Sequence, residues 1–417
     1  MQSFRTIDDL DVVGRRVILR ADLNVPFKDG RITDSSRIDA VAPTIAELSK
    51  AGARVIVLSH LGRPKGKPVH EFSLKPLAKP LADAVSRVIG HHVEVHFASD
   101  CIGDTAENAI ARLDDGDIIL LENVRFYPGE EANDDDFAKS LAGLGDVYVD
   151  DAFSCAHRAH ASTEGITYFL PSAAGRAMMS EIEALEKVLT SPAKPVVAIV
   201  GGAKISTKLA LLGNLVKMVD HLVIGGGMAN TFLNAMGKPV GKSLCEHDLA
   251  ETAKEIVAKA KAEKCTLHLP VDAVVAAEFK AGAASKVVPV EKVGPDDMIL
   301  DIGPKTVEEL TALLKTCKSL VWNGPLGAFE IPPFDAGTVA VAKIAAELTK
   351  QGKLLSVAGG GDTLSALHHA GVAQDFSHVS TAGGAFLEWL EGETLPGVAV
   401  LMNDEASGDD AQHSVSQ

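Results

Sequence analysis

Short apolar runs recur along this chain, and polar or glycine-rich loops and helical stretches separate them. One run begins at Leu354 and is followed by three glycines, Asp362, Thr363 and the start of a helical pattern. A brief apolar run bounded by turn residues is typical of a strand buried on both faces. Strands that alternate with helices predict a mostly parallel sheet with helices on both of its faces. The predicted strands are 16–20, 54–58, 118–121, 147–149, 196–200, 221–224, 319–322, 354–357 and 378–381.

The loops that follow these strands differ between the two halves of the chain. All thirteen arginines lie between Arg5 and Arg176, whereas the strands of the second half end in glycines. In open α/β sheets ligands bind beyond the carboxyl ends of the strands. Arginine suits carboxylate and phosphate groups, and glycine loops bring backbone amides close to phosphates. We therefore expect two halves with different roles, and convergence on one small anion of Arg37, Arg63, Arg125 and Arg158.

Each of these arginines, taken singly, would more often be a partner in a surface ion pair, but four of them at equivalent points of the sheet weaken that interpretation. The loop 359–363 could likewise be an ordinary turn capped by Asp362. In the functional interpretation, Asp362 holds a divalent metal ion and Thr363 donates a hydrogen bond to a phosphate. His157 and His160 have no third metal ligand nearby in the sequence, so a metal site there is not favoured.

A second feature of the glycine-rich half is the pair Lys204 and Lys208, which are four residues apart. They would share one face of a helix, close to an N-terminus where cations are disfavoured. A bound phosphate would resolve that conflict. The segment 237–243 has one spacer too few for a P-loop, and 359–364 does not fit the GxGxxG pattern, which weakens a dinucleotide interpretation.

Composition excludes several classes of protein. A length of 417 residues suggests two or three domains, and the formal net charge of −16 argues against binding to nucleic acid or anionic membranes. The first ten residues lack the apolar region of a signal peptide, and no apolar run is long enough to span a bilayer. The five cysteines have no CxxC spacing, which favours a reduced, cytoplasmic protein.

The two halves meet at a helical stretch. Ser180 and Glu183 fit a capping box, apolar residues from Met179 to Leu189 form a stripe, and prolines follow at 192 and 195. This helix is either a connector or one more helix of the first domain. The residues 403–417 are acidic and polar, which predicts disorder.

With these segments in order, the chain resembles the phosphoglycerate kinase family over residues 4–402. The resemblance rests on the stretches 20–26, 59–64, 122–126, 156–160, 201–208, 225–228, 322–330 and 359–363. It implies a monomer with two doubly wound, parallel-sheet (Rossmann-like) domains joined by a connector helix. It also implies reversible phosphoryl transfer from 1,3-bisphosphoglycerate to MgADP, giving 3-phosphoglycerate and MgATP, with hinge closure of the two domains. The implied division is 1–176, connector 177–192, 193–390, a segment 391–402 that returns to the first domain, and the tail 403–417.

The resemblance also assigns site residues. The implied glycerate-binding residues are Asp22, Asn24, Arg37, His60, Arg63, Arg125 and Arg158. The implied nucleotide-binding residues are Lys208, Gly226, Asn323, Pro325, Glu330, Gly360, Gly361, Asp362 and Thr363, with Asp362 holding Mg²⁺. The implied catalytic residues are Arg37, Lys204, Gly360 and Gly383. One departure is Ala382, which stands at the first position of a segment that is commonly three glycines.

The chemistry of the residues agrees with this assignment. A carboxylate acceptor is already ionised at neutral pH, so transfer to it needs no general base, and catalysis rests on positioning and charge neutralisation. Two other classes remain as alternatives. A non-catalytic nucleotide sensor would be favoured by loss of Arg37, Lys204 or Asp362, all of which are present, and an NAD-dependent dehydrogenase by a GxGxxG motif, which is missing.

Overall fold

The computed structural model describes residues 4–28 and 31–402, so the predicted disordered tail lies outside the described residues. The chain divides into two compact units. The N-terminal unit extends to Ile182 and also includes the stretch from Thr394, and the C-terminal unit is Glu183–Glu393. The finer division at 176, 193 and 390 stays a prediction. Within the described residues, no helix is both long and apolar enough to cross a membrane.

The elements alternate along the chain as the apolar runs indicate. The strands are β1 (Arg16–Arg20), β2 (Phe27–Lys28), β3 (Arg31–Ile32), β4 (Arg54–Leu58), β5 (Val95–Ala98), β6 (Ile118–Leu121), β7 (Val147–Asp150), β8 (Ser172–Ala174), β9 (Val196–Val200), β10 (His221–Ile224), β11 (Thr266–His268), β12 (Asp272–Ala276), β13 (Ser285–Pro289), β14 (Met298–Ile302), β15 (Ser319–Asn323), β16 (Leu355–Gly359) and β17 (His378–Ser380). The helices are α1 (Ser36–Lys50), α2 (Ala78–Ile89), α3 (Gly103–Ile110), α4 (Pro128–Glu131), α5 (Asp135–Ala142), α6 (Arg176–Leu185), α7 (Leu209–Met218), α8 (Gly226–Ala235), α9 (Ala250–Ala262), α10 (Pro304–Thr316), α11 (Ala336–Lys350), α12 (Gly361–His369), α13 (Gly384–Glu391) and α14 (Pro396–Ala399).

The main sheet of the N-terminal unit is parallel, with strand order β5-β6-β4-β1-β7-β8. Successive residues of its strands enter different cores. Val17 and Leu19 belong to the core that contains α1 and α2, whereas Ile18 belongs to the core that contains α3 and α5. Both faces of the sheet are therefore covered, which is why its central strands are apolar throughout.

The main sheet of the C-terminal unit repeats this arrangement with the order β11-β10-β9-β15-β16-β17, also parallel. Leu320 and Trp322 of its central strand β15 pack in one core with residues of α10 and α11. A small antiparallel sheet, β13-β12-β14, is added to this unit. The predicted fold class, α/β with two doubly wound parallel sheets, is confirmed.

All the predicted strands are present, with ends that differ by at most two residues. The strands that the apolar runs did not predict lie at sheet edges or in the small sheets, namely β2, β3, β5, β8 and β11–β14. In β5 and β11 the side chains of His96 and Thr266 are exposed, so these two edge strands lack a continuous apolar run. Edge strand β8 is buried but has only three residues.

The predicted capping box at Ser180 is wrong, because α6 begins at Arg176 and Ser180 lies inside it. The start of the helix is satisfied from elsewhere in the N-terminal unit, since Asp151 Oδ1 accepts a hydrogen bond from Met178 N at 3.0 Å. A π-helical turn, Glu186–Thr190, follows α6 in the chain.

The stretch from Thr394 completes the N-terminal unit. Arg5 N donates to Leu401 O at 3.0 Å, and Gly397 N donates to Ala156 O at 2.9 Å. The side chains of Leu395, Val398 and Leu401 are buried. The end of the described chain thus covers part of the core beside the first residues.

We expect truncation after Glu393 to destabilise the N-terminal unit strongly, because it removes three buried apolar side chains worth about 1.5–3 kcal/mol each. The calorimetric transition of that unit should fall by about 10 °C or more. Truncation after Met402 is the matched control and should leave it unchanged. Equal transition temperatures for the two truncated proteins would contradict this role of the segment.

Candidate active site

Arg20, the last residue of β1, is a fully buried charge at the end of the N-terminal sheet. Its Nε donates to Ser162 Oγ at 2.8 Å, and Nη1 donates to Ala21 O. Ser162 Oγ in turn donates to Glu130 Oε1 at 2.6 Å, and Glu130 is also fully buried. Burial raises the pKa of Glu130, and the charge of Arg20 opposes that increase. The guanidinium is thus held rigidly by buried acceptors.

His60 follows β4 and lies against Arg20, with 3.0 Å between Arg20 Nη2 and His60 Nδ1. A guanidinium only donates hydrogen bonds, so Nδ1 must be the acceptor and the imidazole proton must be on Nε2. Burial, followed by the charge of Arg20, lowers the pKa of His60 well below its ordinary value, although Asp22 opposes this. His60 is therefore a neutral side chain whose Nε2–H can donate to a ligand.

Asp22 joins the loop after β1 to α1. Its Oδ2 accepts from Arg37 Nη1 at 2.5 Å and from Ser154 Oγ, and its Oδ1 accepts from Asn24 N at 3.0 Å. Burial by itself raises the pKa of Asp22, but the charge of Arg37 and the hydrogen bond from Ser154 act against burial, and the pKa is lowered to about 2. The carboxylate is thus ionised and holds Arg37, whose side chain remains 30% exposed.

The loops after β1, β4 and β6 are tied together through Gly62. Asn24 Oδ1 accepts from Gly62 N at 2.9 Å, and Arg125 Nη1 donates to Gly62 O at 3.0 Å. Gly62 has a φ of +63°, a conformation that favours glycine. We call Arg20, Asp22, Arg37, His60 and Arg125 the arginine cluster.

Arg125 is only 6% exposed, and its Nε lies 3.5 Å from Glu131 Oε1, an ion pair without a hydrogen bond. Burial lowers its pKa, as do the charges of Arg20 and Arg158. Arg158 Nε donates to His157 Nε2 at 3.1 Å. Arg63 is exposed, and no hydrogen bond or ion pair of the described residues joins it to the cluster. The structure therefore connects Asp22, Asn24, Arg37, His60 and Arg125 through hydrogen bonds of their loops and side chains. Among the described residues, Arg63 and Arg158 are not part of that hydrogen-bonded set.

Donor atoms of Asp22, His60 and Cys155 lie within 4.8 Å of one another, a spacing that could hold a metal ion. Arg20 contacts His60, however, and Arg37 contacts Asp22. Two guanidinium groups this close would repel a cation. The electrostatics of this cluster suit an anion.

The glycine-rich loops of the C-terminal unit pack backbone against backbone. A Cβ on Gly201 would lie 1.8 Å from Pro325 O, and one on Gly226 would lie 2.6 Å from Gly202 O. Gly226 N donates to Leu326 O at 2.9 Å, so the loops after β10 and β15 are bonded directly. We call 201–208, 225–228, 323–327 and 359–363 the glycine loops.

Lys208 is held inside these loops, where its Nζ donates to Gly201 O and to Asn323 Oδ1, both at 2.6 Å. Burial lowers the pKa of Lys208 to about 8, although the charge of Asp362 opposes this. Asn323 Nδ2 donates to Gly359 O at 2.8 Å, and Thr363 Oγ1 accepts from Gly324 N at 2.7 Å. Lys208, Asn323 and Thr363 thus connect the loops that follow β9, β15 and β16.

The expectation that Lys204 and Lys208 share one helix face is wrong. The 3₁₀ turn Ile205–Thr207 separates them, and α7 begins only at Leu209, so Lys204 is exposed while Lys208 points inward. A residue that the sequence did not indicate holds this turn. Glu246 accepts from Ser206 N at 3.0 Å and from Ser206 Oγ at 2.5 Å.

The loop 359–363 ends at the start of α12. Gly360 has a φ of +98°, and a Cβ there would lie 2.6 Å from Asn323 Nδ2. The first hydrogen bond of the helix runs from Leu364 N to Gly360 O at 3.0 Å. The N–H groups of residues 361–363 therefore have no acceptor within the helix. Asp362 is exposed, and its carboxylate forms no hydrogen bond or ion pair with the described residues. Such a carboxylate fits a hard cation such as Mg²⁺.

Gly383 occupies a similar place before α13, with a φ of +54°. Ala382, the departure from the glycine triplet, is buried, and its N–H donates to Ser380 Oγ at 3.2 Å. An alanine is accommodated at this position because its side chain packs inside the unit.

A cavity of about 360 Å³ lies between the glycine loops and the small sheet. Among the predicted nucleotide residues, Gly226, Pro325, Glu330 and Asp362 line it. Leu244, Ile299 and Leu300 add apolar walls. A cavity with apolar walls, backbone amides and a free carboxylate can hold a nucleotide with its metal ion.

Comparison with known proteins agrees with this geometry. The family model described as phosphoglycerate kinase matches residues 7–393. The phosphoglycerate kinase of Rhizobium leguminosarum is 62% identical over 402 residues, covering 96% of this chain and 99% of the relative. That of Methylorubrum extorquens is 60% identical with the same coverage.

Solved structures agree as well. Phosphoglycerate kinase from Coxiella burnetii has a TM-score of 0.86 at 42% identity, covering 96% of this chain and 99% of that one. The enzyme from Pyrococcus horikoshii has a TM-score of 0.78 at 31% identity, covering 95% and 98%. From these matches over nearly its whole length, the chain belongs to the phosphoglycerate kinase family.

Proposed function

We propose that the arginine cluster of the N-terminal unit binds the glycerate substrate and that the glycine loops of the C-terminal unit bind MgADP or MgATP. The protein is a kinase that reversibly transfers a phosphoryl group between 1,3-bisphosphoglycerate and ADP, giving 3-phosphoglycerate and ATP. The observation that carries the assignment of sites is the arginine cluster itself. There the ionised carboxylate of Asp22 holds Arg37, the neutral His60 lies against Arg20, and Arg125 is bonded to Gly62.

The glycerate substrate carries a phosphate and a carboxylate. The Arg125 guanidinium, whose Nε forms no hydrogen bond and lies 3.5 Å from Glu131 Oε1, can bind a phosphate oxygen. His60 Nε2–H can donate to a carboxylate or hydroxyl oxygen. Arg63 and Arg158 add positive charge from the neighbouring loops. Asp22 and Asn24 support binding by holding Arg37 and the loop that contains Gly62.

The nucleotide side uses amides more than side-chain charge. The free N–H groups of Gly361, Asp362 and Thr363 form a site for phosphate at the start of α12. Lys208 and Asn323 fix the loops behind it, while Gly226, Pro325 and Glu330 line the cavity for the nucleoside. Asp362 would hold the Mg²⁺ that enters with the nucleotide substrate and neutralises part of its phosphate charge.

The transfer itself needs charge neutralisation and no proton removal, because the accepting carboxylate is ionised. Lys204 is exposed and Arg37 is partly exposed, and we assign both to the transferring phosphoryl group. Gly360 and Gly383 stand before the N-termini of α12 and α13, where backbone amides can stabilise negative charge.

Closure of the two units is expected because each unit binds a different substrate. Reacting atoms must come within about 3–3.5 Å, and water must be excluded from the acyl phosphate. Since different units bind the two substrates, we propose a hinge motion that brings the bound ligands together. All five cysteines are free thiols, which supports a cytoplasmic location, and we propose that the protein acts as a monomer.

Arg37→Ala should lower kcat by about 10²–10³ while changing the KM for either substrate only a few-fold, because its contact with the phosphoryl group matures in the transition state. The measurement is a coupled assay of ATP formation from 1,3-bisphosphoglycerate and MgADP. Arg87→Ala is the matched control, since Arg87 forms only an exposed pair with Asp39. A raised KM at unchanged kcat would contradict this role, and no ATP formation by the unaltered protein would overturn the proposed function.

Asp362→Asn should lower turnover with MgADP about 100-fold or more and leave 3-phosphoglycerate affinity unchanged, because the carboxylate for the nucleotide's metal ion is lost. Titration calorimetry with each ligand separates the two effects. Glu251→Gln is the control, an exposed acid in the first turn of α9. Loss of glycerate binding with retention of nucleotide binding would show that the sites are assigned to the wrong units.

Binding of MgADP should weaken as pH rises above about 8. The pKa of Lys208 is about 8 in the free protein, and a bound phosphate raises it. Binding above that pH therefore takes up a proton, and affinity should fall by up to about tenfold per pH unit. Calorimetry in two buffers of different ionisation enthalpy measures the uptake, which Lys208→Met should abolish and Lys217→Met, an exposed control on α7, should not. Proton uptake by the Lys208→Met protein would exclude Lys208 as its source.

A further inference from the structure

The cavity between the glycine loops contains one polar side chain that the proposed function leaves without a role. Four polar side chains line the cavity, Asn230, Asp301, Glu330 and Asp362. Glu330 and Asp362 are exposed and already assigned. Asp301 is occupied within the protein, because its two oxygens accept from Ile302 N at 2.9 Å and Gly337 N at 2.7 Å. Asn230 is the remaining polar side chain that could recognise a ligand through a hydrogen bond.

Asn230 lies on the cavity face of α8, three and four residues after Gly227 and Gly226, which also line the cavity. Its residue is 1% exposed, and Nδ2 donates to Leu244 O at 3.1 Å. The Oδ1 atom is buried and has no hydrogen-bond partner among the described residues. The opposite amide orientation would place two oxygens against each other at Leu244, so the hydrogen-bond network fixes Oδ1 as the free acceptor.

A buried acceptor without a partner is unfavourable, and most such groups are satisfied by protein, water or ligand. Apart from Asn230 and the three acidic residues named above, the lining is apolar or glycine, including Leu244, Ile299 and Leu300. A flat nucleobase fits such walls, and one free acceptor among them would select a base that presents a donor at its edge.

We propose that Asn230 determines nucleobase specificity, with its Oδ1 accepting a hydrogen bond from the 6-amino group of adenine. This inference rests on the proposed nucleotide-binding function of the cavity. Adenine presents an amino donor at position 6, whereas guanine and hypoxanthine present a carbonyl acceptor there. An acceptor facing an acceptor is repelled, so the site favours adenine over both other purines.

The test removes each partner of the hydrogen bond in turn. Calorimetry measures binding of MgADP and of the magnesium complex of purine riboside diphosphate, which lacks only the 6-amino group. The unaltered protein should bind ADP about tenfold more tightly, the value of one neutral hydrogen bond. Asn230→Leu should bind both ligands equally within about twofold, and Asn234→Leu should retain the preference, because Asn234 is on the same helix but does not line the cavity.

A second measurement uses turnover. The ratio of kcat/KM for ATP to that for ITP, with 3-phosphoglycerate as acceptor, should fall about tenfold in Asn230→Leu, mainly through the KM for ATP. General damage to the fold lowers both rates and leaves this ratio unchanged.

Equal binding of ADP and purine riboside diphosphate by the unaltered protein would overturn the inference even if no variant folds. Persistence of the tenfold preference in Asn230→Leu would overturn it as well. Either result, with normal ATP formation by the unaltered protein, leaves the proposed function intact.

Discussion

The central strands of each main sheet are buried on both faces, so they offer no place for a charged side chain except at their ends. Arg20 is the extreme case, a guanidinium at the end of β1 with no exposed surface. Removing a charge from water costs several kcal/mol unless it is paired and hydrogen-bonded. Ser162 and His60 accept hydrogen bonds from Arg20, and Glu130 accepts one from Ser162. These bonds hold the buried part of the arginine cluster in place without a ligand.

The C-terminal unit uses the same sheet geometry with different chemistry. There the strand ends approach so closely that a Cβ on Gly201 would overlap the carbonyl of Pro325. Glycine is required for that packing, and it leaves backbone amides as the main groups for binding phosphates. In the proposed assignment, side-chain charge would bind the small anionic substrate, and amides with a few side chains would bind the larger polyphosphate. The two chemistries suit the two partners of one phosphoryl transfer.

Much of this arrangement could be predicted from the sequence because it depends on local pattern. Runs such as 54–58 and 118–121 are apolar because both faces of the strand are buried, and each was found as a strand. Partly buried edge strands such as β5 and β11 give no such signal. The capping prediction at Ser180 failed because Asp151, from the loop after β7, supplies the cap of α6.

The sequence by itself determined the central strands of both main sheets, the division between arginine and glycine loops, and most of the residues that gather at the sheet ends. Tertiary structure alone decided the state of those residues. It set which nitrogen of His60 bears the proton, since that depends on Arg20, 40 positions away. It turned Lys208 inward and left Lys204 exposed, since one of the acceptors for Lys208 is Asn323, 115 positions away. It also left Asn230 with one free oxygen. Hydrogen bonds between distant loops fix these choices, and no local sequence pattern records which loops will meet.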